Sequence, residues 1–301
     1  MRLYCAAIYT NDFGATGKVR RVLTPEEQAQ RDYVVNFLDS YHYIKKQSYV
    51  DKIRYDKEKV FLDSGAFSAF SLGKEIDIGE YCDYIHRNED IIEVASVLDA
   101  IGDAEGTWRN QEEMERRGCS PLPCYHYGEP VEVLDHYVAN YDHITIGGMV
   151  PISTPQLRVW LDRLWERHLT NADGTAKIKV HGFGLTALGL MMQYPWYSVD
   201  SSSWVQMAAN GTILLPDLGK ALAVSSSSPN RKTPGQHVDS ISPVERQAVL
   251  KELERHGGSL ERLQTVYQAR FAWNVWAFPY FARSKNDFEN DKYTRTTQEL
   301  F

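Results

Sequence analysis

With 301 residues, 43 % hydrophobic and 24 % charged, the chain has the balance of a globular protein and enough length for a sizeable core. No apolar run reaches the roughly 18 residues of a membrane span, and residues 1–10 lack a basic stretch followed by an apolar one, so a cytoplasmic protein with no membrane partner is expected. The net charge of −7 excludes a general basic footprint, so a nucleic acid would have to be held by local patches.

In chain order, short apolar or β-branched runs are expected as strands at residues 3–9, 60–63, 92–98, 122–127, 143–146, 178–183, 197–199 and 212–215. Residues 10–47 are polar, carry Tyr41-His42-Tyr43, and read as an insertion after the first strand. Residues 79–88 place Tyr81, Tyr84 and Ile85 on one helical face, and the charged stretch 107–118 ends at Gly118. Helices are also expected at 130–141, opening at Pro130, and at 154–168, opening with Thr154-Pro155. Residues 225–238 (SSSSPNRKTPGQHV) have loop composition and carry Arg231 and Lys232. Two more helices are expected at 243–256 and 259–278. The second region interleaves Arg270 and Arg283 with Tyr267, Phe271, Trp273, Trp276, Phe278 and Tyr280, a mix that suits a core or a strand-binding surface.

Strands alternating with helices predict a single α/β unit over residues 1–301, a closed parallel (β/α)8 TIM barrel. The insertion spans about 10–57 and the C-terminal loop and helices about 225–301; an open doubly wound sheet is the alternative. The four cysteines, Cys5, Cys82, Cys119 and Cys124, show no metal-site spacing and are expected as reduced thiols, with no metal and no cofactor.

Barrel chemistry collects at the carboxyl ends of the strands. The residues expected there are Asp63, Asp99, His126, Gly147-Gly148, His181-Gly182 and Asp200. Singly, each reads as a loop opener or helix cap; together they read as a site. Asp63 ends the run Val60-Phe61-Leu62, and Asp200 follows Ser198-Val199. Two carboxylates from distant parts of one chain are what a retaining substitution at a sugar carbon requires. A metal-dependent hydrolase using His126, His181 and Asp200 is a second reading, and a silent barrel that only binds a nucleobase is a third.

Four motifs in order, Asp63-Ser64-Gly65-Ala66-Phe67, Ile146-Gly147-Gly148-Met149-Val150-Pro151, His181-Gly182-Phe183-Gly184 and Ser198-Val199-Asp200-Ser201, resemble the tRNA-guanine transglycosylase superfamily over residues 59–215. They look closest to its archaeal-type and 7-deazaguanine DNA-modifying branches. The resemblance implies a (β/α)8 barrel that exchanges a guanine base on a nucleic acid for a free 7-deazaguanine (preQ0-type) base. It implies that Asp200 attacks C1′, that Asp63 moves the proton on the departing and arriving base, and that Phe67 stacks on the base. Asp99, or Asp103 close by, would read the base edge. Ser64, Gly65, His126, Gly147, Gly148, Met149, His181 and Gly182 would line the same pocket.

The departures from the family are equally specific. The tRNA enzymes carry a zinc site of three cysteines and a histidine after the barrel, whereas no cysteine follows Cys124 here. His126 stands where they have a glutamine, and no room remains for the archaeal RNA-binding domain. DNA is therefore the expected partner, as in the branch encoded by phages and genomic islands, with tRNA the alternative. A duplex substrate would have to release its guanine from the stack. Arg231, Lys232, Arg270 and Arg283 are the candidate strand contacts. Neither target sequence nor oligomeric state is legible.

Overall fold

Short apolar segments that end in a polar residue build the sheet. Its strands are β1 (Arg2–Ala6), β2 (Phe37–Ser40), β3 (Val60–Asp63), β4 (Ile92–Ala95), β5 (Cys124–His126), β6 (His143–Gly147), β7 (Lys179–Gly182) and β8 (Ser198–Ser201). The computed structural model describes residues 1–34, 36–285, 287–288 and 290–294. All paired neighbours in this sheet are parallel, and the spatial order is β4-β3-β2-β1-β8-β7-β6-β5.

The sheet curls until its two edges touch at one parallel bridge, Ser96 to Leu122. There Leu122 N–H donates to Ala95 O at 2.8 Å and Val97 N–H donates to Leu122 O at 3.0 Å. Among the described residues no continuous ladder joins β4 to β5. The architecture is thus an α/β fold on an eight-stranded, all-parallel curled sheet, compatible with a TIM-like barrel.

Helices cover the outside: α1 (Pro25–Asp32), α2 (Tyr41–Ile44), α3 (Gln47–Asp56), α4 (Ala66–Ser71), α5 (Ile78–Arg87), α6 (Ala104–Arg116), α7 (Val131–Asn140), α8 (Thr154–Leu164), α9 (Leu188–Gln193), α10 (Ser203–Ala209), α11 (Pro243–Arg255), α12 (Leu260–Thr265) and α13 (Tyr267–Lys285). Their starts follow local chemistry. Thr24 with Glu27 at the start of α1, and Ser242 with Glu245 at the start of α11, form reciprocal capping boxes, each with proline at the first helical position. None of the described helices is long and apolar enough to cross a membrane.

Strand alternation divides the core in two. Tyr4, Ala6, Leu38 and Phe61 point into the curl and pack together, with Tyr4 and Phe61 meeting edge-on at 5.5 Å between ring centroids. Leu3, Cys5, Phe37 and Leu62 belong to the larger cluster under the helices.

Three expectations need correction. The stretch read as an insertion contains β2, a full member of the sheet between β1 and β3. Residues 212–215 form no part of that sheet: β9 (Thr212–Leu215) pairs antiparallel with β10 (Lys220–Ala223) in a separate hairpin. The helix expected over 259–278 is two, α12 and α13.

The aromatics of α13 serve the core. Trp273 is fully buried and its indole N–H donates to Leu214 O at 2.7 Å. Buried Asn274 accepts from Leu214 N–H at 2.9 Å and donates to Thr212 O at 3.0 Å, tying the helix to the hairpin. Removing either side chain would leave buried backbone groups unpaired, at about 1–3 kcal/mol each.

Candidate active site

The carboxyl ends of the strands open into one cavity of about 940 Å3. Asp63, Phe67, Asp99, Asp103, His126, Gly147, Gly148, Met149 and Asp200 all line it. Five different strand ends, those of β3, β4, β5, β6 and β8, thus deliver their expected residues to one place.

Asp63 ends β3, and the chain turns at once into α4. Gly65 makes the turn possible: its φ is 78°, and a β-carbon there would stand 2.2 Å from Ser40 Oγ. Its N–H donates to Asp63 Oδ2 at 3.1 Å. Ser64 is fully buried, and its N–H donates to Ser96 Oγ at 3.0 Å, binding the turn to the end of β4. Ser64 and Gly65 therefore hold the carboxyl rather than line the cavity.

The sequence Phe-Leu-Asp-Ser occurs twice, at 37–40 and 61–64, on adjacent strands. The two copies are out of step by one residue: Leu38 pairs with Phe61, and Asp39 with Leu62. Asp63 consequently shares the interior face with Phe61, whereas Asp39 shares the face of Leu62. Asp39 borders the cavity, but its oxygens accept from Tyr9 N–H at 3.1 Å and Thr10 Oγ–H at 3.0 Å, holding the loop after β1. One residue of register gives identical tetrapeptides different work.

Burial, then the neighbouring charges of Asp99 and Asp200, pushes the Asp63 carboxyl up to about 7. Burial likewise raises Asp39 to about 7. Asp200, on β8, is 6 % exposed. Its Oδ1 accepts from Gly184 N–H at 2.8 Å and lies 3.4 Å from His181 Nε2.

His181 and Gly182 do not line the cavity as expected. The His181 ring is fully buried inside the curl against Phe61 and Phe183, beneath Asp200. Gly182 lies on the opposite side of the strand, where a β-carbon would meet the Trp196 ring at 3.1 Å. The next two residues, Phe183 and Gly184, reach the cavity instead.

Asp99 and Asp103 differ in employment. Asp103 caps α6, accepting from Gly106 N–H at 2.9 Å, and its exposed carboxylate pairs with Arg109 at 3.5 Å. Asp99 faces inward, its Oδ1 3.4 Å from His126 Nε2. His126 Nδ1 lies 3.0 Å from Glu129 Oε1, and Cys124 Sγ lies 3.4 Å from His126 Nε2. Burial alone would lower the imidazole pKa, but Cys124, Asp99 and Glu129 together raise it above the ordinary histidine value.

At the cavity mouth Phe67 is 63 % exposed, which removes it from the packed core; Tyr43 and Val150, also exposed, line the same cavity. The sequence reading did not assign Tyr43, Cys124 or Glu129 to the site. Tyr43 follows the unrecognised strand β2, and the signal that reveals both is the second Phe-Leu-Asp-Ser.

The four proposed strand contacts lie away from the cavity lining. Arg270 is withdrawn from the surface: it is buried and donates to Ala208 O at 3.1 Å and Leu263 O at 2.7 Å. Arg283 lies 4.7 Å over the Tyr33 ring, and Arg231 pairs with Asp239 at 3.3 Å. Lys232 is exposed. His126, His181 and Asp200 do not assemble as metal ligands; among the described residues the grouping that brings three donors together is Asp99, Cys124 and His126. No family model matches the chain, and no curated protein matches it.

Proposed function

We propose that the chain is a base-exchange transglycosylase that replaces guanine in DNA with a 7-deazaguanine base through a covalent aspartyl–sugar intermediate. The curled sheet, on this reading, is the closed (β/α)8 barrel of the superfamily its motifs resemble. The observation that carries the proposal is the pair Asp63 and Asp200 in one cavity with different surroundings. Asp200 is oriented by a backbone N–H, while Asp63 is raised to about 7.

The chemistry divides accordingly. The Asp200 carboxylate attacks C1′ as the bond from C1′ to guanine N9 breaks, and the neutral Asp63 gives its proton to the departing base. The arriving 7-deazaguanine returns a proton from its N9 to the Asp63 carboxylate and attacks C1′, and Asp200 leaves. Two inversions retain the configuration. A carboxyl that titrates near neutrality is suited to both transfers.

The remaining lining supports recognition of a flat base. Gly147 and Gly148 bring backbone to the cavity wall, Asp99 offers an acceptor to the base edge, and the exposed Phe67 ring gives a stacking surface at the mouth. DNA is favoured over tRNA because the chain departs from the tRNA enzymes at the zinc cysteines and at His126. The test is incubation with duplex DNA or tRNA and a free 7-deazaguanine base, then digestion to nucleosides and mass analysis. A modified deoxynucleoside is expected. A modified ribonucleoside alone would move the substrate to tRNA, and neither product would overturn base exchange.

A further inference from the structure

We propose that Asp99, Cys124 and His126 bind a divalent cation of the zinc class, with its fourth coordination position facing the cavity. Cys124 and His126 are two apart on β5, so both side chains lie on one face of the strand, and Asp99 follows the neighbouring edge strand β4. Their donor atoms all lie within 4.8 Å of one another, with His126 Nε2 3.4 Å from both Cys124 Sγ and Asp99 Oδ1. Zinc bonds of about 2.0–2.3 Å at tetrahedral angles separate ligands by roughly 3.3–3.8 Å, so these spacings need little adjustment.

Three further observations point the same way. Glu129 holds the histidine from behind, with Oε1 3.0 Å from Nδ1 and Oε2 accepting the His126 backbone N–H at 2.9 Å. A carboxylate on the far nitrogen is how proteins orient a ligating imidazole. Asp99 Oδ1 is buried and accepts no hydrogen bond. Gly147 stands opposite: a β-carbon there would lie 3.1 Å from both Cys124 Sγ and His126 Cδ2, tighter than ordinary contact, so the glycine leaves the trio more room than another residue would. A sulfur, nitrogen and oxygen donor set suits zinc rather than magnesium or calcium. The rival arrangement is a metal-free clasp in which a protonated His126 bridges Asp99 and Glu129.

This inference stands on donor geometry and does not need base exchange, although it departs from the sequence expectation of no metal. If both hold, the ion sits in the wall where the base edge is read, and Asp99 keeps its second oxygen for the base. Binding displaces the Cys124 thiol proton to solvent.

The full chain is equilibrated with zinc chloride, dialysed and analysed for metal, and separately titrated with cobalt(II) chloride. About one equivalent of zinc per chain is expected, with a near-ultraviolet thiolate-to-cobalt absorption band. Cys124→Ser, checked for folding by circular dichroism, should lose the band, and Glu129→Gln should weaken cobalt binding roughly 10- to 100-fold. Substoichiometric zinc with no thiolate band in the folded wild type would overturn the site, as would a band that survives in Cys124→Ser. Loss of this proposal with a trapped Asp200 adduct leaves base exchange intact; bound metal with no adduct sinks base exchange alone.

Discussion

His181 Nε2 lies 3.4 Å from Asp200 Oδ1, and the other ring nitrogen stands 2.8 Å from Ser198 Oγ. Neighbouring strands β7 and β8 thus form a buried bracket behind the carboxylate, closed on the other side by Gly184 N–H. His181 is a positioning residue on this geometry. His181→Phe keeps an aromatic ring among Tyr4, Phe61 and Phe183 but loses both polar contacts. We expect kcat for exchange to fall roughly 10- to 100-fold with KM little changed, because misplacing a reacting group by about 1 Å costs on that order. His181→Gln should recover part of the loss. An unchanged kcat in a folded His181→Phe protein would show that the bracket is only packing.

Asp63 links stability, and the proposed exchange activity, to pH. Its carboxyl rises from the ordinary 3.8 to about 7 on folding, so the folded state holds the proton more tightly than the unfolded chain. The stability this confers is fully present below the unfolded pKa and is lost as pH rises through about 7. Asp63→Asn removes the titration, so the variant should gain on the wild type between pH about 4 and about 8, by up to about 4 kcal/mol. Thermal unfolding of both proteins across this range measures it; a difference in Tm independent of pH would contradict the assignment. In the wild type, adduct formation should slow above about 7 as the acid form is lost.

Phe67 and Arg270 should behave oppositely. Phe67 is 63 % exposed at the cavity mouth, so Phe67→Ala should leave Tm nearly unchanged and raise KM for the nucleic acid about 10-fold, within the 1–3 kcal/mol of one stacked base. Arg270 is buried with two backbone acceptors, so Arg270→Ala should lower stability by about 2–4 kcal/mol and leave KM alone once the protein is folded. Salt-dependent binding lost in Arg270→Ala, with Tm unchanged, would restore that arginine to a strand-binding surface.

Much of the site was legible because strand-end chemistry is local. An apolar run that stops at an aspartate reads the same in sequence and in space, and Asp63, Asp99, His126 and Asp200 all reach the cavity. Three things were not legible. Strand β2 is four residues set in a polar stretch, and with only Phe37 and Leu38 between Asn36 and Asp39 its apolar run was too short to read as a strand. Without β2, the hairpin strand β9 filled the count of eight. The second failure concerns direction. His181 and Gly182 sit at a strand end as expected, but alternation sends one side chain inward beneath Asp200 and the other side toward Trp196. In α13 the mixture of arginine and aromatics leaves core and surface indistinguishable until packing decides, and Trp273 and Arg270 both went inward.

The proposed function depends most directly on Asp200 as nucleophile. Guanine-containing DNA incubated with the protein and no incoming base, then denatured and examined by intact mass and peptide mapping, measures this. A covalent sugar–protein adduct on the peptide containing Asp200 is expected in the wild type, absent in Asp200→Ala and discharged by added 7-deazaguanine base. Exchange that proceeds in Asp200→Ala, or an adduct on another residue, would contradict it.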